Sequence, residues 1–257
     1  MTARYSTGLR NFTLKYGSLD DALRNGVITI YSGAQPSSAD AAPTGTPLCV
    51  VSNNAGAVTS EVLAQGSVTL TGGAGGALNT LTVNGVDILG GAVPFDSTLA
   101  QTAMDIATQI NAFKSKPDYS AVAVGAVVNI TAMPGNGASP NGFVVAGTTT
   151  TLTATTVNMA GGVAPVNGLL FGAPAGGVLP KLPAQTWSGI NLATGTAGWF
   201  RQTGSVADTG ALDSAGVVLR MDGAIASSGA EMNLNSTAFT AGATTTVATS
   251  TETAPPQ

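Results

Sequence analysis

From Val27 to Tyr31 the chain runs Val-Ile-Thr-Ile-Tyr, a β-branched and aromatic stretch closed by Ser32-Gly33, and this pattern predicts a buried strand. A loop rich in Pro, Ala and Ser extends from Ala34 to Pro47, and Leu48 to Ser52 predicts a second strand. From Gly66 the texture changes. Residues 67–71 and 78–83 alternate apolar and polar side chains on either side of Gly72-Gly73-Ala74-Gly75-Gly76, which predicts two strands joined as a hairpin by a flexible loop. Asn84-Gly85 marks another turn. The clearest helix follows: Leu99, Ala103, Ile106, Ala107, Ile110 and Phe113 recur at helical spacing, and Thr98 with Gln101 makes a capping-box start. Lys114 and Lys116 suit its negative end, and Pro117 stops it. Four more strands are expected over residues 120–124, 127–132, 143–146 and 152–157.

Ahead of these elements, residues 18–26 predict a short helix, with Ser18 as cap, Asp20 and Asp21 at its positive end, Arg24 at its negative end and Gly26 as the left-handed stop. Beyond the Gly/Pro stretch at residues 172–177, short strands resume near residues 186–190, 198–203, 217–221, 231–234 and 244–249. Strands of this length, separated by Gly and Ser about every ten residues, predict a β-sandwich or barrel. The expected fold is therefore mainly β: a β-sandwich or barrel-like outer domain of residues 1–65 and 164–257, interrupted by a small inserted α+β domain, residues 66–163, with one amphipathic helix. Two β-domains in tandem are the alternative, but the first 65 residues hold too few strands to bury a core alone.

Charge sharpens this picture by being scarce. Only 9% of the 257 residues are charged, against a usual value of about a quarter, while 44% are hydrophobic and the net charge is −4. That balance predicts folding, not disorder. Thr, Gly, Asn or Pro break the apolar runs, so no window reaches the ~18 apolar residues of a spanning helix, and no membrane partner is expected. No secretory signal is visible, so synthesis is expected in the cytoplasm. A pI near 4.5 argues against nucleic acid as a partner.

The search for chemistry returns little. Histidine is absent, which removes Ser-His-Asp and Cys-His catalysis, and with Cys49 as the lone cysteine it removes a Cys/His zinc site. Cys49, between Leu48 and Val50, reads as a small buried hydrophobe. Of the thirteen acids only Asp20 and Asp21 are adjacent, and helix capping accounts for them. Asp222-Gly223 reads as turn material, and the glycine loop at residues 72–76 lacks the Gly-Lys-Ser/Thr ending of a phosphate-binding loop. The expectation is no enzyme, no catalytic residue, no metal and no cofactor.

What the sequence offers instead are candidate contact surfaces. Arg4, Tyr5, Leu9, Arg10, Phe12, Lys15 and Tyr16 form a basic, aromatic leader. It reads either as an arm on an acidic neighbouring subunit or as a terminal helix or strand packed on its own domain. Trp187, Trp199, Phe200 and Arg201 form a second dense spot, readable as an interface anchor or as β-core. Between Asp118 and Lys181 no side chain is charged, which suits either hydroxyl-rich strands of a two-layer domain or an assembly surface.

Four stretches carry a resemblance: Tyr5-Ser6-Thr7-Gly8-Leu9-Arg10-Asn11, the run from Val27 to Pro36, Thr186-Trp187-Ser188-Gly189, and the run from Ala193 to Arg201. Together they resemble a family of tailed-bacteriophage virion structural proteins. The inserted block, with Leu81-Thr82-Val83-Asn84-Gly85 before its helix and Asn158-Met159-Ala160-Gly161-Gly162 at its end, resembles modules that recur in phage structural proteins. The resemblance implies a virion component made in the host cytoplasm, first of all a capsid decoration or cement protein. It implies copies of itself and the major capsid protein, or tail proteins, as partners in a symmetric homo-oligomeric assembly. A tail-tube or head-to-tail component is the nearest alternative. An adhesin module that binds host glycans through Trp187 and Trp199 is a different one.

Overall fold

The computed structural model describes residues 3–253, and 42% of the chain is strand and 11% helix. Its first segment holds β1 (Arg4–Tyr5), α1 (Thr7–Lys15), α2 (Leu19–Leu23), β2 (Ile28–Ser32) and β3 (Pro47–Asn53). Then come β4 (Gln65–Gly72), β5 (Ala77–Val83), β6 (Val86–Asp87), β7 (Val93–Pro94), α3 (Leu99–Ala112), β8 (Tyr119–Val124), β9 (Val127–Ala132), β10 (Val145–Thr150) and β11 (Thr153–Ala160). The last segment holds β12 (Val178–Pro180), β13 (Trp187–Ile190), β14 (Gly195–Thr203), β15 (Arg220–Ala226), β16 (Met232–Asn233), β17 (Ala238–Phe239), β18 (Thr244–Val247) and β19 (Thr251–Thr253). The fold is mainly β, and its strands form several antiparallel sheets, with no closed barrel among the described residues. The chain divides into two compact units, one of residues 1–61 with 165–257 and one of residues 62–164.

The outer unit is built on a nine-stranded sheet in the order β1-β15-β14-β2-β3-β13-β18, with β16 on β15 and β17 on β14. The first and last segments therefore interleave, because β14 pairs with β2 on one side and β15 on the other. Register places Tyr31, Trp199 and Ala224 in one row and Thr29, Arg201 and Asp222 in the next row on the same face. Ile28, Ile30, Phe200 and Met221 point the other way, and all four are buried.

Two local expectations about this unit need correction. Asp222-Gly223 is not a turn but lies inside β15. The carboxylate tolerates a strand interior because Arg201 is bonded to it, and Gly223 is small because the Phe200 ring lies where a Cβ would stand, 2.5 Å from Cε1. Gly26 is not the left-handed stop of α2, since Asn25 takes that role at φ 62°. Gly26 is instead required by close packing, as a Cβ there would overlap the Thr203 carbonyl oxygen. The start of α2 is as the sequence predicts: Ser18 Oγ accepts from the Asp21 N–H at 3.2 Å, and Asp21 accepts from the Ser18 N–H at 2.8 Å.

The inserted unit contains two four-stranded sheets and α3. One sheet runs β11-β4-β9-β8, and the other runs β10-β5-β6 with β7 on β5. The expected hairpin of β4 with β5 does not form, because the two strands belong to different sheets. They are consecutive halves of one long strand pair, in which residues 65–83 run antiparallel to residues 145–160 from Gln65 opposite Ala160 to Val83 opposite Val145. This ribbon changes sheets where Gly73 and Gly76, at φ 99° and 80°, face Thr151 at φ 61°. Corners of this kind let two sheets share strands. The glycines thus serve a fold corner, not a hairpin loop.

Between the sheets lies the core: Val68, Leu70, Leu78, Leu81, Val128 and Ile130 from the strands, with Ala103, Ile106 and Ile110 from α3. Each buried Val, Leu or Ile contributes about 1.5–3 kcal/mol, so this cluster is the main source of the unit's stability. Thr98 Oγ1 caps α3 by accepting from the Gln101 N–H at 3.1 Å, but the Gln101 side chain reaches forward to Asp105 instead of back, so only half of the expected capping box forms. The helix ends at Ala112, and Lys114 and Lys116 lie beyond it.

Candidate functional site

The densest polar constellation lies on the outer unit's sheet. Arg201, 2% exposed, donates from Nε and Nη2 to the two carboxylate oxygens of Asp222 at 2.7 and 2.8 Å, and from Nη1 to the Ala41 carbonyl at 3.0 Å. Its guanidinium carbon lies 5.6 Å from the centroid of Trp199, which stacks on Tyr31 at 4.4 Å and donates to the Thr44 carbonyl at 3.2 Å. Two residues along β15, Arg220 makes the same fork with Asp208 at 2.7 and 2.6 Å and donates to the carbonyls of Asp40 and Ala211 at 3.2 and 2.8 Å.

The two arginines hold the segments around residues 39–44 and 208–211 onto the sheet. Burial works against ionisation of Asp208, but the Arg220 fork outweighs it and keeps that carboxyl below its usual range. At Asp222 the balance tips the other way, and burial pushes its carboxyl up despite Arg201.

A cleft of about 250 Å³ opens beside this network, lined by Tyr31, Val50, Arg201, Thr203, Ser205 and Asp208. Arg201 and Asp208, its charged members, are already engaged in the two forks. Among the described residues no three His, Cys, Asp or Glu side chains converge as a metal site.

The structure disperses the contact residues expected from the sequence. Trp187, Trp199, Phe200 and Arg201 are buried in their own unit, so none is a surface anchor or a glycan platform. Trp187 donates to Gln185 Oε1 at 3.0 Å and meets the edge of Phe171 at 5.6 Å. The N-terminal leader is not a free arm either. Arg4 and Tyr5 form β1 on β15, Arg4 bonds to the Pro36 carbonyl, and Leu9 and Phe12 are buried on the inner side of α1. Arg10 is exposed and donates to Thr7 Oγ1 at 3.0 Å, while Lys15 Nζ bonds the Tyr16 hydroxyl at 2.9 Å. The local signal for this helix, not singled out above, is the pair of apolar residues at positions 9 and 12 behind a Ser6 cap.

Near neutral pH the acid to watch is Glu252. Glu252 of β19 faces Leu179 of β12, and burial, aided by the negative charge of Glu231, pushes its carboxyl up to about 7. An acid raised in the folded state stabilises most below its unfolded value, here near 4.5, and loses that contribution as pH rises through the folded one. Amide exchange in the β12–β19 ladder, corrected for intrinsic rates, is therefore expected to be faster above the folded value than below the unfolded one. Glu252→Gln removes the difference, and a ladder equally protected in both ranges contradicts the assignment.

In the inserted unit the informative feature is where charge stops. Its charged side chains are Asp87, Asp96, Asp105, Lys114, Lys116 and Asp118, while residues 62–86 and 119–164 carry none. The outward face of the β11-β4-β9-β8 sheet falls wholly in the uncharged part. Register sets Val122, Asn129, Ser67 and Val157 in one row across the four strands, and Val124, Val127, Thr69 and Thr155 in the next. Val122, Val124 and Val157 are 64%, 65% and 61% exposed. The charge gap after Asp118 pointed toward this face, but the share of residues 65–71 in it was visible only through strand pairing.

The β8 edge of that sheet is guarded. Asn111 of α3 donates from Nδ2 to the Ala121 carbonyl at 2.7 Å and accepts from the Ala121 N–H at 2.9 Å, taking the place of a neighbouring strand. Asn111→Ala leaves both backbone groups without this partner, at an expected cost of about 1–3 kcal/mol. It also opens an edge that promotes aggregation. Urea unfolding and light scattering check both, and a variant as stable and as monodisperse as the parent contradicts the guard.

Comparison with protein-family models, curated proteins and solved structures returned no match.

Proposed function

We propose that this chain is a structural component of a bacteriophage virion, bound in many copies to the capsid as a decoration or cement protein. One observation supports this reading above others: the four stretches that resemble phage virion proteins, scattered from residue 5 to residue 201, gather into one folded body. Tyr5 to Asn11 spans the end of β1 and the start of α1, Val27 to Pro36 contains β2, Thr186 to Gly189 enters β13, and Ala193 to Arg201 contains most of β14. β2 and β14 are adjacent, β1 reaches β14 through β15, and β13 reaches β2 through β3. The resemblance thus follows a shared sheet with its buried Trp199 and Arg201, and a scaffold is what such words specify.

The charge-poor surface suits a protein that spends its life among neighbours. The glycan-adhesin alternative loses the contacts on which it rested, because both tryptophans are buried. Shells assembled without this chain and then titrated with the purified protein test the proposal. The expected result is saturable binding with a fixed number of copies per capsid subunit, and shells that take up none contradict it.

A further inference from the structure

We propose that the outward face of the β11-β4-β9-β8 sheet is a self-association surface that packs against the same face of a second copy of this chain. The argument is one of charge matching. A partner with charged side chains over Val122, Val124 and Val157 would bury them against groups that offer no countercharge, which costs several kcal/mol per ion. The same face of a second copy brings no charge at all, because every residue of these four strands is neutral. It also brings the complementary texture: valines at the two ends of the first row, at Val122 and Val157, and small hydroxyl or amide side chains at Ser67 and Asn129 between them. Face-to-face sheets meet at about 10 Å through such interdigitated rows.

An exposed sheet face on a protein that remains alone normally carries charges of both signs. This unit confines its charges to the stretch from Asp87 to Asp118, and α3 within that stretch packs on the opposite, core-facing side of the sheet. Size sets the strength. Four strands about 4.8 Å apart and ~20 Å long outline roughly 400 Å², well under the ~800 Å² per partner of a standard interface. The contact is therefore weak between free molecules and cumulative among many copies.

Sedimentation velocity of the full chain over a wide concentration range reads it directly. The parent protein is expected to dimerise reversibly. The double variants Val122→Lys with Val157→Lys, and Val122→Glu with Val157→Glu, are each expected to be monomeric at the same concentrations. Both positions are exposed, so the variants should melt at the parent temperature. Mixing the Lys pair with the Glu pair restores association only if the face meets itself. A parent that is monomeric throughout, charged variants that associate like the parent, or a mixture that fails to associate while the parent does overturns the proposal. This outcome is separate from the virion reading, since a monomer in solution that still saturates shells would leave that reading intact.

Discussion

Replacing Arg201 with alanine is expected to destabilise the outer unit by about 3–5 kcal/mol, the cost of leaving a buried charge without its partner. Asp222 is fully buried, and the lost guanidinium supplies both of its fork bonds, the donor to Ala41 and the cation near Trp199. Arg201→Lys keeps the charge but cannot form the planar fork, so it should fall between the parent and the alanine variant. Arg201→Met combined with Asp222→Leu should recover most of the loss, because a well-packed apolar pair is often as stable as the ion pair it replaces. Urea unfolding followed by tryptophan fluorescence suits the measurement, since Trp187 and Trp199 both report on this unit. An alanine variant within ~0.5 kcal/mol of the parent, the range of ordinary surface substitutions, would show that the network is ornamental.

Gly76→Ala is the second large effect, and it falls on the inserted unit. Gly76 has φ 80°, and a Cβ at that position would overlap the carbonyl oxygen of Thr150 across the corner. Left-handed strain alone costs about 1–3 kcal/mol for a residue other than glycine, and the clash with backbone adds to it. The adjacent Gly75 is the control. A Cβ there meets nothing within 4 Å, and its φ is not left-handed, so Gly75→Ala is expected to be neutral or stabilising by up to ~1 kcal/mol. Amide exchange across residues 65–83 and 145–160 should collapse in the first variant and stay at parent levels in the second. Equal protection in both variants would mean that the ribbon does not turn at this point.

These two sites also show which parts of the structure were legible in the sequence. Period and capping were enough to find α3, because Ile106 and Ile110 need only one another and the Thr98 cap to define a face. β2 and β3 were legible for the same reason, being dense apolar runs between turn residues. Partner choice was not legible. Alternation gave the faces of β4, but in β5 a register shift brings Leu78 and Leu81 into the same core, and neither pattern could reveal that both strands pair with distant residues 145–160 instead of with each other.

Charge misled in a related way. Arg201 and Asp222 lie 21 residues apart, and nothing local distinguishes a buried fork from a surface arginine and a turn aspartate. For the tryptophans and the N-terminal leader the sequence left a contact reading and a packed reading both open, because burial depends on strands supplied from the far end of the chain. The uncharged face fared better. Absence of charge is a property of the sequence itself, and folding only decided which of the neutral residues stand side by side.

The proposed virion role is tested most directly by a cryo-EM reconstruction of phage particles purified from cells that produce this chain. The expected map shows the chain in symmetric copies evenly covering the head, with the nine-stranded unit against the shell. Particles that lack the chain contradict the virion assignment outright, and copies confined to the tail contradict its place on the capsid.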